Sequence, residues 1–188
     1  MNKISQNFNF NRYSDYDVSL IKDHIDRFSD EWFIDTSRQN DYANHKDTTS
    51  YFIYKTDLNW NVKQDFITET KSNDQVLLDL VEPIIKDLEK LHNGVRGNVL
   101  LIKLKANHNI PKHADDGDYL VLSRRHHIPI VTSEDTWFGV GSEKVNMAVG
   151  ECWEINNTRF HEVQNNSNID RVHLLIDIMP IVEIGEKQ

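Results

Sequence analysis

Two side chains of the kind that bind metals, His113 and Asp115, stand two positions apart in the segment from Ile110 to Asp118. In an extended backbone they project from the same side, because side chains alternate with a period of two. His161, at the start of a later predicted strand, is the candidate for a third ligand. Two histidines and one carboxylate on one face of a metal are typical of non-haem Fe(II) sites. Taken singly, His113 and Asp115 also suit a solvated acidic turn, and His161 suits a hydrogen-bonded histidine at a strand end.

Arg171 is a second chemical signal, because it opens the apolar strand Arg171-Val-His-Leu-Leu-Ile-Asp177. A buried guanidinium is costly unless an anion meets it. A dicarboxylate cosubstrate could supply that anion in a bidentate pair. The alternatives are that Arg171 pairs with Asp170 or Asp177, or that it lies in solvent.

A cluster of basic and imidazole side chains occupies the predicted strand that ends near Val131. Period two places Arg125 and His127 on one face and Arg124 and His126 on the other. Facing the interior, Arg125 and His127 would form a second anion site. A register slip of one residue would turn Arg124 and His126 inward instead.

The elements that must position these residues follow from apolar spacing. A three-to-four-residue repeat predicts an amphipathic helix over residues 15–33, and a broader apolar stripe predicts a second helix. Ser72 is the expected N-cap of this second helix, which contains Pro83 and ends near Asn93-Gly94. Residues 48–54 read as a strand between the two helices.

From Gly97 onward, short apolar or β-branched runs alternate with turn residues. Strands are predicted over 98–105, 119–131, 136–140, 145–149, 151–155, 161–165 and 171–178. Closely spaced strands predict a mainly β fold, a jelly roll with flanking helices. We expect one domain over 1–188, in which a helical and strand part, 1–96, packs on a metal-binding jelly-roll core, 97–180.

Composition limits the partners. Thirty acidic residues against 21 basic ones give a formal charge of -9, which disfavours nucleic acid. The sequence shows neither a signal peptide nor a run of about 18 apolar residues, so no membrane span is expected. A single cysteine, Cys152, cannot form an internal disulfide, which fits the cytoplasm. The oligomeric state does not follow from the sequence.

Five ordered blocks resemble the aspartyl/asparaginyl β-hydroxylase family of Fe(II)/2-oxoglutarate-dependent dioxygenases. They are Ile110-Pro-Lys-His113-x-Asp115, Arg125-His-His127-Ile-Pro-Ile130, Gly150-Glu-Cys-Trp-Glu-Ile-Asn-Asn157, His161-Glu-Val-Gln-Asn165 and Arg171-Val-His-Leu-Leu-Ile-Asp177. The resemblance implies a double-stranded β-helix, which is a cupin-like jelly roll. It also implies Fe(II) and O2 as cofactors and 2-oxoglutarate as cosubstrate. The reaction implied is oxidative decarboxylation of 2-oxoglutarate coupled to hydroxylation of an unactivated carbon.

The resemblance also implies roles for individual residues. His113 and His161 would ligate iron, and Arg171 would bind the carboxylate of 2-oxoglutarate farthest from the metal. Arg125 and His127 fall where the family contacts the carboxylate nearer the metal. Asp115 completes the triad, as in small bacterial members similar to proline hydroxylases. The implied substrate is therefore an amino acid or an amino-acid residue, free or in a peptide.

Two questions stay open. The segment that carries Arg38 and His45 looks like the mouth of the active site in small family members, where polar side chains could select the substrate. Alternatively, Arg38 and His45 tie a loop to the sheet. A rival function is that of a metal-binding cupin that does not activate oxygen, either an isomerase or a binding module. Arg171 argues against it, because such a cupin needs no cation there.

Overall fold

The computed structural model describes residues 6–28, 32, 35–41, 43–56 and 69–181. The helices are Ser19–Ile25 (α1), Ser37–Asp41 (α2), Gln75–His92 (α3) and Asp118–Leu122 (α4), with a short 3-10 turn over Ala43–His45. The strands are Phe10–Asp15 (β1), Thr48–Thr56 (β2), Glu69–Lys71 (β3), Gly94–Leu104 (β4), Asn109–His113 (β5), Arg124–Val131 (β6), Thr136–Val140 (β7), Glu143–Val145 (β8), Glu151–Ile155 (β9), His161–Asn165 (β10) and Arg171–Pro180 (β11). No helix in these ranges is long and apolar enough to cross a membrane.

The strands form two antiparallel sheets. The larger has the order β1-β9-β6-β11-β4-β2-β3 and the smaller the order β5-β10-β7-β8. A core cluster that includes Phe138, Val163 and Ile155 joins residues of both sheets. The fold is mostly β, and this arrangement is the jelly roll that the sequence predicts. β1, β2 and β3 pair within the larger sheet, so residues before 96 contribute strands to it; the single-domain division itself stays a prediction.

The side chains of strand β11 point alternately to the two faces of the larger sheet, as in any extended strand. One set of side chains joins the main core with α1 and α3: Val172, Leu174, Ile176 and Ile178. The other set faces the smaller sheet: Arg171, His173, Leu175 and Asp177. Nearly all of β11 is buried, so its apolar residues anchor the helices while its polar residues remain for the interior site.

The second predicted helix, which was based on the broad apolar stripe, is confirmed as α3. Six of its side chains are buried, and the helix runs through Pro83 without a break. Asn93 ends it with a left-handed φ of 44°. The predicted cap was wrong. Asp74 accepts a hydrogen bond from the backbone N–H of Leu77 at 3.0 Å, whereas Ser72 contacts the Asp74 N–H outside the helix.

The predicted helix over 15–33 is wrong at its start. Residues 10–15 form β1, which pairs with β9, and α1 begins only at Ser19. The Asp17 side chain accepts from the Ser19 N–H at 3.0 Å, which fixes the turn before the helix. Positions 29–31, 33 and 34 lie outside the described residues.

Two predicted strands, 119–131 and 145–149, need correction. The structure confirms the predicted strands over 48–54, 136–140, 151–155 and 161–165. Within 119–131, the first residues form α4, because Tyr119 and Leu122 must pack together against Met179. An apolar run this short fits a helix or a strand equally well. Over 145–149, pairing stops at Val145, and Met147 packs into the core cluster between the sheets.

Candidate active site

Neighbouring strands of the smaller sheet position the histidines of the candidate metal centre. β5 ends at His113, which lies directly opposite His161, the first residue of β10. Asp115 follows two residues after β5, and its backbone N–H donates to the Asn157 carbonyl at 3.0 Å. The antiparallel register therefore brings residues from distant parts of the sequence to one end of the jelly roll.

The side chains of the triad face one another. Nε2 of His113 and Nε2 of His161 each lie 3.8 Å from Oδ1 of Asp115, and all ligand atoms fall within 4.8 Å of one another. Each Nδ1 contacts a backbone carbonyl two residues earlier: Pro111 at 2.7 Å for His113 and Arg159 at 3.0 Å for His161. Because Nδ1 donates, the Nε2 lone pairs are left for a metal. The donor set fits Fe(II).

The charge states also suit ligation. Burial raises the pKa of Asp115, but the guanidinium of Arg125 and the imidazoles of His161 and His113 outweigh it, so the pKa lies below its usual value. Burial lowers the pKa of His161. An ionised carboxylate and a neutral imidazole are the forms that bind metal.

A second cluster of possible ligands, His92, His126 and Glu154, has a different character. Nε2 of His92 and Nε2 of His126 are hydrogen-bonded to each other at 2.8 Å. Both oxygens of Glu154 accept from Arg124, at 2.8 and 2.9 Å, and Tyr13 donates to one of them. These groups already satisfy one another, so the cluster leaves no free carboxylate oxygen for a cation.

Arg171 lies buried, 2% exposed, on the inner face of β11. No carboxylate of the described residues pairs with it; Asp170 accepts from a backbone N–H and Asp177 binds Arg125. Its described polar contact is with Nδ1 of His173 at 2.7 Å. Burial without an anion lowers the pKa of Arg171 to about 9. Nδ1 of His127 and Nε2 of His173 are also buried without a described partner, so the pocket offers a cation and polar groups to an anion.

The side chains of strand β6 point in the directions expected for the first of the two predicted registers, in which Arg125 and His127 face the interior. Arg125 and His127 line the cavity beside the triad, whereas Arg124 and His126 contact Glu154 and His92 on the other side. Arg125 is not free, however. Its Nε and Nη2 donate to Asp177, both at 2.9 Å, and its Nη1 donates to Asp115 at 2.6 Å. Three of five N–H groups are thereby used, which leaves two.

Arg38 and His45 line the mouth. Nη2 of Arg38 lies 3.1 Å from Nε2 of His45, and the imidazole of His45 meets that of His113 edge to face at 5.8 Å. Nη1 of Arg38 also contacts Ser50 of β2 at 3.4 Å, as expected if these residues tie a loop to the sheet. They border both the inner cavity at Arg171 and an outer cavity of about 320 Å³. The structure thus brings both residues to the site.

Three residues of the site are absent from the sequence-based candidates. Phe138 stacks on His161 with ring centroids 6.2 Å apart and lies 5.8 Å from the Arg171 guanidinium carbon. Tyr119 and Asn157 reach the site through hydrogen bonds to Asp177 and Asp115. Phe138 gives no signal beyond its apolar strand, whereas Asn157 stands in one of the family-like blocks.

Fold and site together define a jelly-roll protein with a candidate metal centre of two histidines and one carboxylate, beside a pocket lined by the buried Arg171. The sequence matches the family model described as aspartyl/asparaginyl beta-hydroxylase over residues 16–180. The protein therefore belongs to the aspartyl/asparaginyl β-hydroxylase family. It is accordingly a 2-oxoglutarate-dependent dioxygenase of the hydroxylase type, with Fe(II), 2-oxoglutarate and O2 as its cofactors.

Solved structures agree with the fold. The viral collagen prolyl hydroxylase from Paramecium Bursaria Chlorella virus-1 has a TM-score of 0.55 at 8% identity, covering 93% of this chain and 98% of that chain. An oxidoreductase of the 2OG-Fe(II) oxygenase family from Burkholderia pseudomallei has a TM-score of 0.54 at 12% identity, covering 72% and 69%. At such identities the likeness concerns the fold alone. A search of curated proteins found no match.

Proposed function

We propose that the protein hydroxylates an unactivated carbon of an amino acid or of an amino-acid residue in a peptide. In this proposal His113, Asp115 and His161 hold Fe(II), and Arg171 receives 2-oxoglutarate. The observation that carries the proposal is the buried Arg171, which lacks a carboxylate partner among the described residues and lines the same cavity as the triad. A metal-binding cupin that does not activate oxygen would have no use for this cation.

The metal ligands act through preorganisation. Bound Fe(II) supplies the activation of O2, with 2-oxoglutarate as the coreductant. The carbonyls of Pro111 and Arg159 hold the two imidazoles with Nε2 toward the metal position. Asp115 contributes Oδ1, while its Oδ2 accepts from Arg125. The three ligand atoms therefore already lie within 4.8 Å of one another.

The cosubstrate pocket is assigned from its donors. Arg171 would bind the carboxylate of 2-oxoglutarate farthest from the metal in a charged pair. Nδ1 of His173 accepts from Arg171, so a neutral His173 carries its proton on the unpaired Nε2. His127 and the two remaining N–H groups of Arg125 are available to the carboxylate nearer the metal. The bound dianion would neutralise charge that is otherwise buried.

The substrate would enter through the outer cavity. Its wall combines the apolar side chains of Leu100, Leu175 and Phe52 with the polar groups of Arg38 and His45. At about 320 Å³ the cavity is within the range of small-molecule sites. This lining suits an aliphatic carbon held near the metal and a carboxylate or amide held at Arg38 and His45.

We expect the cytoplasm as the location, since the buried Cys152 is unpaired.

A substrate screen tests this function. Purified protein with Fe(II) and 2-oxoglutarate should release succinate above its background rate when offered a free amino acid or a short peptide. The product should gain one oxygen atom, derived from O2. His113→Ala should abolish the release. If no amino acid or peptide stimulates wild-type protein that holds Fe(II) and 2-oxoglutarate, the proposed substrate class is wrong.

A further inference from the structure

A buried carboxylate, Asp177, is linked by hydrogen bonds through Arg125 to the carboxylate of the candidate metal centre. It is fully buried in β11 and lies opposite Arg125 of β6 in the strand register. Both of its oxygens accept from the Arg125 guanidinium, at 2.9 Å each. This fork-to-fork geometry fixes the plane of the guanidinium as well as its position.

The same guanidinium reaches the carboxylate ligand. Nη1 of Arg125 donates to Oδ2 of Asp115 at 2.6 Å, and the Asn157 amide lies 3.4 Å from the same oxygen. Oδ1 of Asp115 is the atom that faces His113 and His161. Arg125 therefore restrains Oδ2 and leaves Oδ1 for the metal.

Asp177 is itself held from the far side. The Tyr119 hydroxyl donates to Oδ2 of Asp177 at 3.1 Å and accepts from the Asn98 N–H at 2.6 Å. A Cβ on Gly97 would lie 2.3 Å from that hydroxyl oxygen, so glycine makes room for Tyr119. Helix α4, which carries Tyr119, therefore restrains the hydrogen-bond network that runs from Asp177 through Arg125 to Asp115.

We propose that Asp177 is a positioning residue for the metal centre, acting through Arg125 to hold Asp115 as a one-oxygen ligand. The inference rests on the proposed metal site. It assigns Asp177 and Tyr119 a part in iron binding that neither residue could have through direct contact.

The physical reason is that an amide cannot replace this carboxylate. Asparagine at position 177 would keep the shape, but only its oxygen could accept from Arg125, and its NH2 group would oppose a guanidinium N–H. Arg125 would then be drawn toward Asp115, its other carboxylate partner among the described residues. Both oxygens of Asp115 would become available to that cation, in competition with the metal.

The test measures anaerobic Fe(II) binding and the visible charge-transfer absorption of the Fe(II)–2-oxoglutarate complex. Asp177→Asn should weaken Fe(II) binding by about 10- to 100-fold, as for other groups that orient metal ligands, and should shift the absorption band. Tyr119→Phe, which removes one hydrogen bond to Asp177, should weaken binding in the same direction by roughly 2- to 10-fold. Tyr119→Phe also keeps the inference testable if Asp177→Asn does not fold.

Glu154→Gln is the matched control. Glu154 is equally buried and forms the equivalent bidentate pair with Arg124, on the opposite face of β6. It should lower thermal stability, yet leave Fe(II) affinity within about twofold and the band unmoved, because it is independent of the site.

Failure of this inference is distinct from failure of the proposed function. If wild-type protein binds Fe(II) and gives the band, but the folded Asp177→Asn variant matches it in both, Asp177 does not position the centre. An equal loss of iron affinity in Glu154→Gln would likewise overturn the inference, because the effect would then follow from stability alone. Wild-type protein that binds no Fe(II) would instead refute the metal site and the inference with it.

Discussion

A short local contact orients each imidazole of the candidate centre: Nδ1 donates to the carbonyl two residues before it, for both His113 and His161. This contact needs no distant partner, so each imidazole is oriented by the chain immediately before it. Asp115 differs, because Arg125 and Asn157 orient it across the fold. The carboxylate is therefore the ligand most dependent on long-range packing.

The proposed contact between Arg171 and 2-oxoglutarate yields a prediction about cosubstrate binding. Arg171→Ala should raise the KM for 2-oxoglutarate about 30-fold or more, since truncating one partner of a buried charged pair costs roughly 2–5 kcal/mol. Arg171→Lys should recover part of the loss, because it restores the charge without the fork. Steady-state kinetics at saturating iron measure the effect.

The matching control for Arg171 is Arg12→Ala, which removes an exposed guanidinium that pairs with Asp15 and should leave the KM for 2-oxoglutarate unchanged. A folded Arg171→Ala variant with wild-type KM would show that the cosubstrate carboxylate binds elsewhere.

The residues that we propose take part directly in the chemistry can be named from the sequence, whereas the residues that support them cannot. Period two and the ordered blocks suffice to single out His113, Asp115 and His161. Asp177 stands in the same block as Arg171, and the sequence offers it as a possible partner of that arginine. Its actual partner, Arg125, depends on how β6 and β11 align, and a single sequence does not specify that register.

At the scale of elements, strands bounded by clear turn residues are predictable and ambiguous apolar runs are not. β7 and β9 match their predicted ranges, since turn residues flank them on both sides. The run at 119–122 becomes helical because α4 must bring Tyr119 beneath Asp177 and Leu122 against Met179. That choice depends on tertiary contacts, which override local preference.

The N-cap of α3 yields a stability prediction. Asp74→Ala should lower the free energy of unfolding by about 1 kcal/mol for the lost cap, and further because Asp74 also pairs with Nε2 of His24 at 2.7 Å. Asp74→Asn should retain most of the stability, because asparagine caps equally well. Chemical denaturation measures both variants. Equal stabilities for Asp74→Ala and wild type would show that the helix does not depend on this cap.

At the scale of the whole molecule, the interior holds several histidines in their neutral form. Burial lowers the pKa values of His126, His127 and His173. Burial, reinforced by neighbouring positive charge, lowers that of His92 to about 4 and that of His45 to about 3. In the unfolded chain these groups titrate near 6.5. The fold therefore excludes protons that the unfolded chain would bind.

This difference predicts acid sensitivity. Between the folded pKa values and about 6.5 the unfolded chain binds more protons, so the stability present above pH 6.5 is lost as the pH falls. The Tm measured with a chelator should fall from pH 7 to pH 5. The Tm of His92→Gln should fall less over this range, because the variant lacks one titrating group and its amide can still donate to Nε2 of His126. Arg124, Glu154 and Tyr13, the other titratable and charged groups that face the pair, are unchanged in this variant. A constant wild-type Tm would refute the neutral state of these histidines.

The most direct test of the account is the iron content of the protein after anaerobic loading with Fe(II) and desalting. Wild-type protein should retain one Fe(II) per chain, and His161→Ala should retain little. His92→Ala, which alters the other cluster of histidines and carboxylate, should load like wild type. Wild-type iron content in His161→Ala, or loss of iron in a folded His92→Ala variant, would contradict the assignment of His113, Asp115 and His161 as the metal centre.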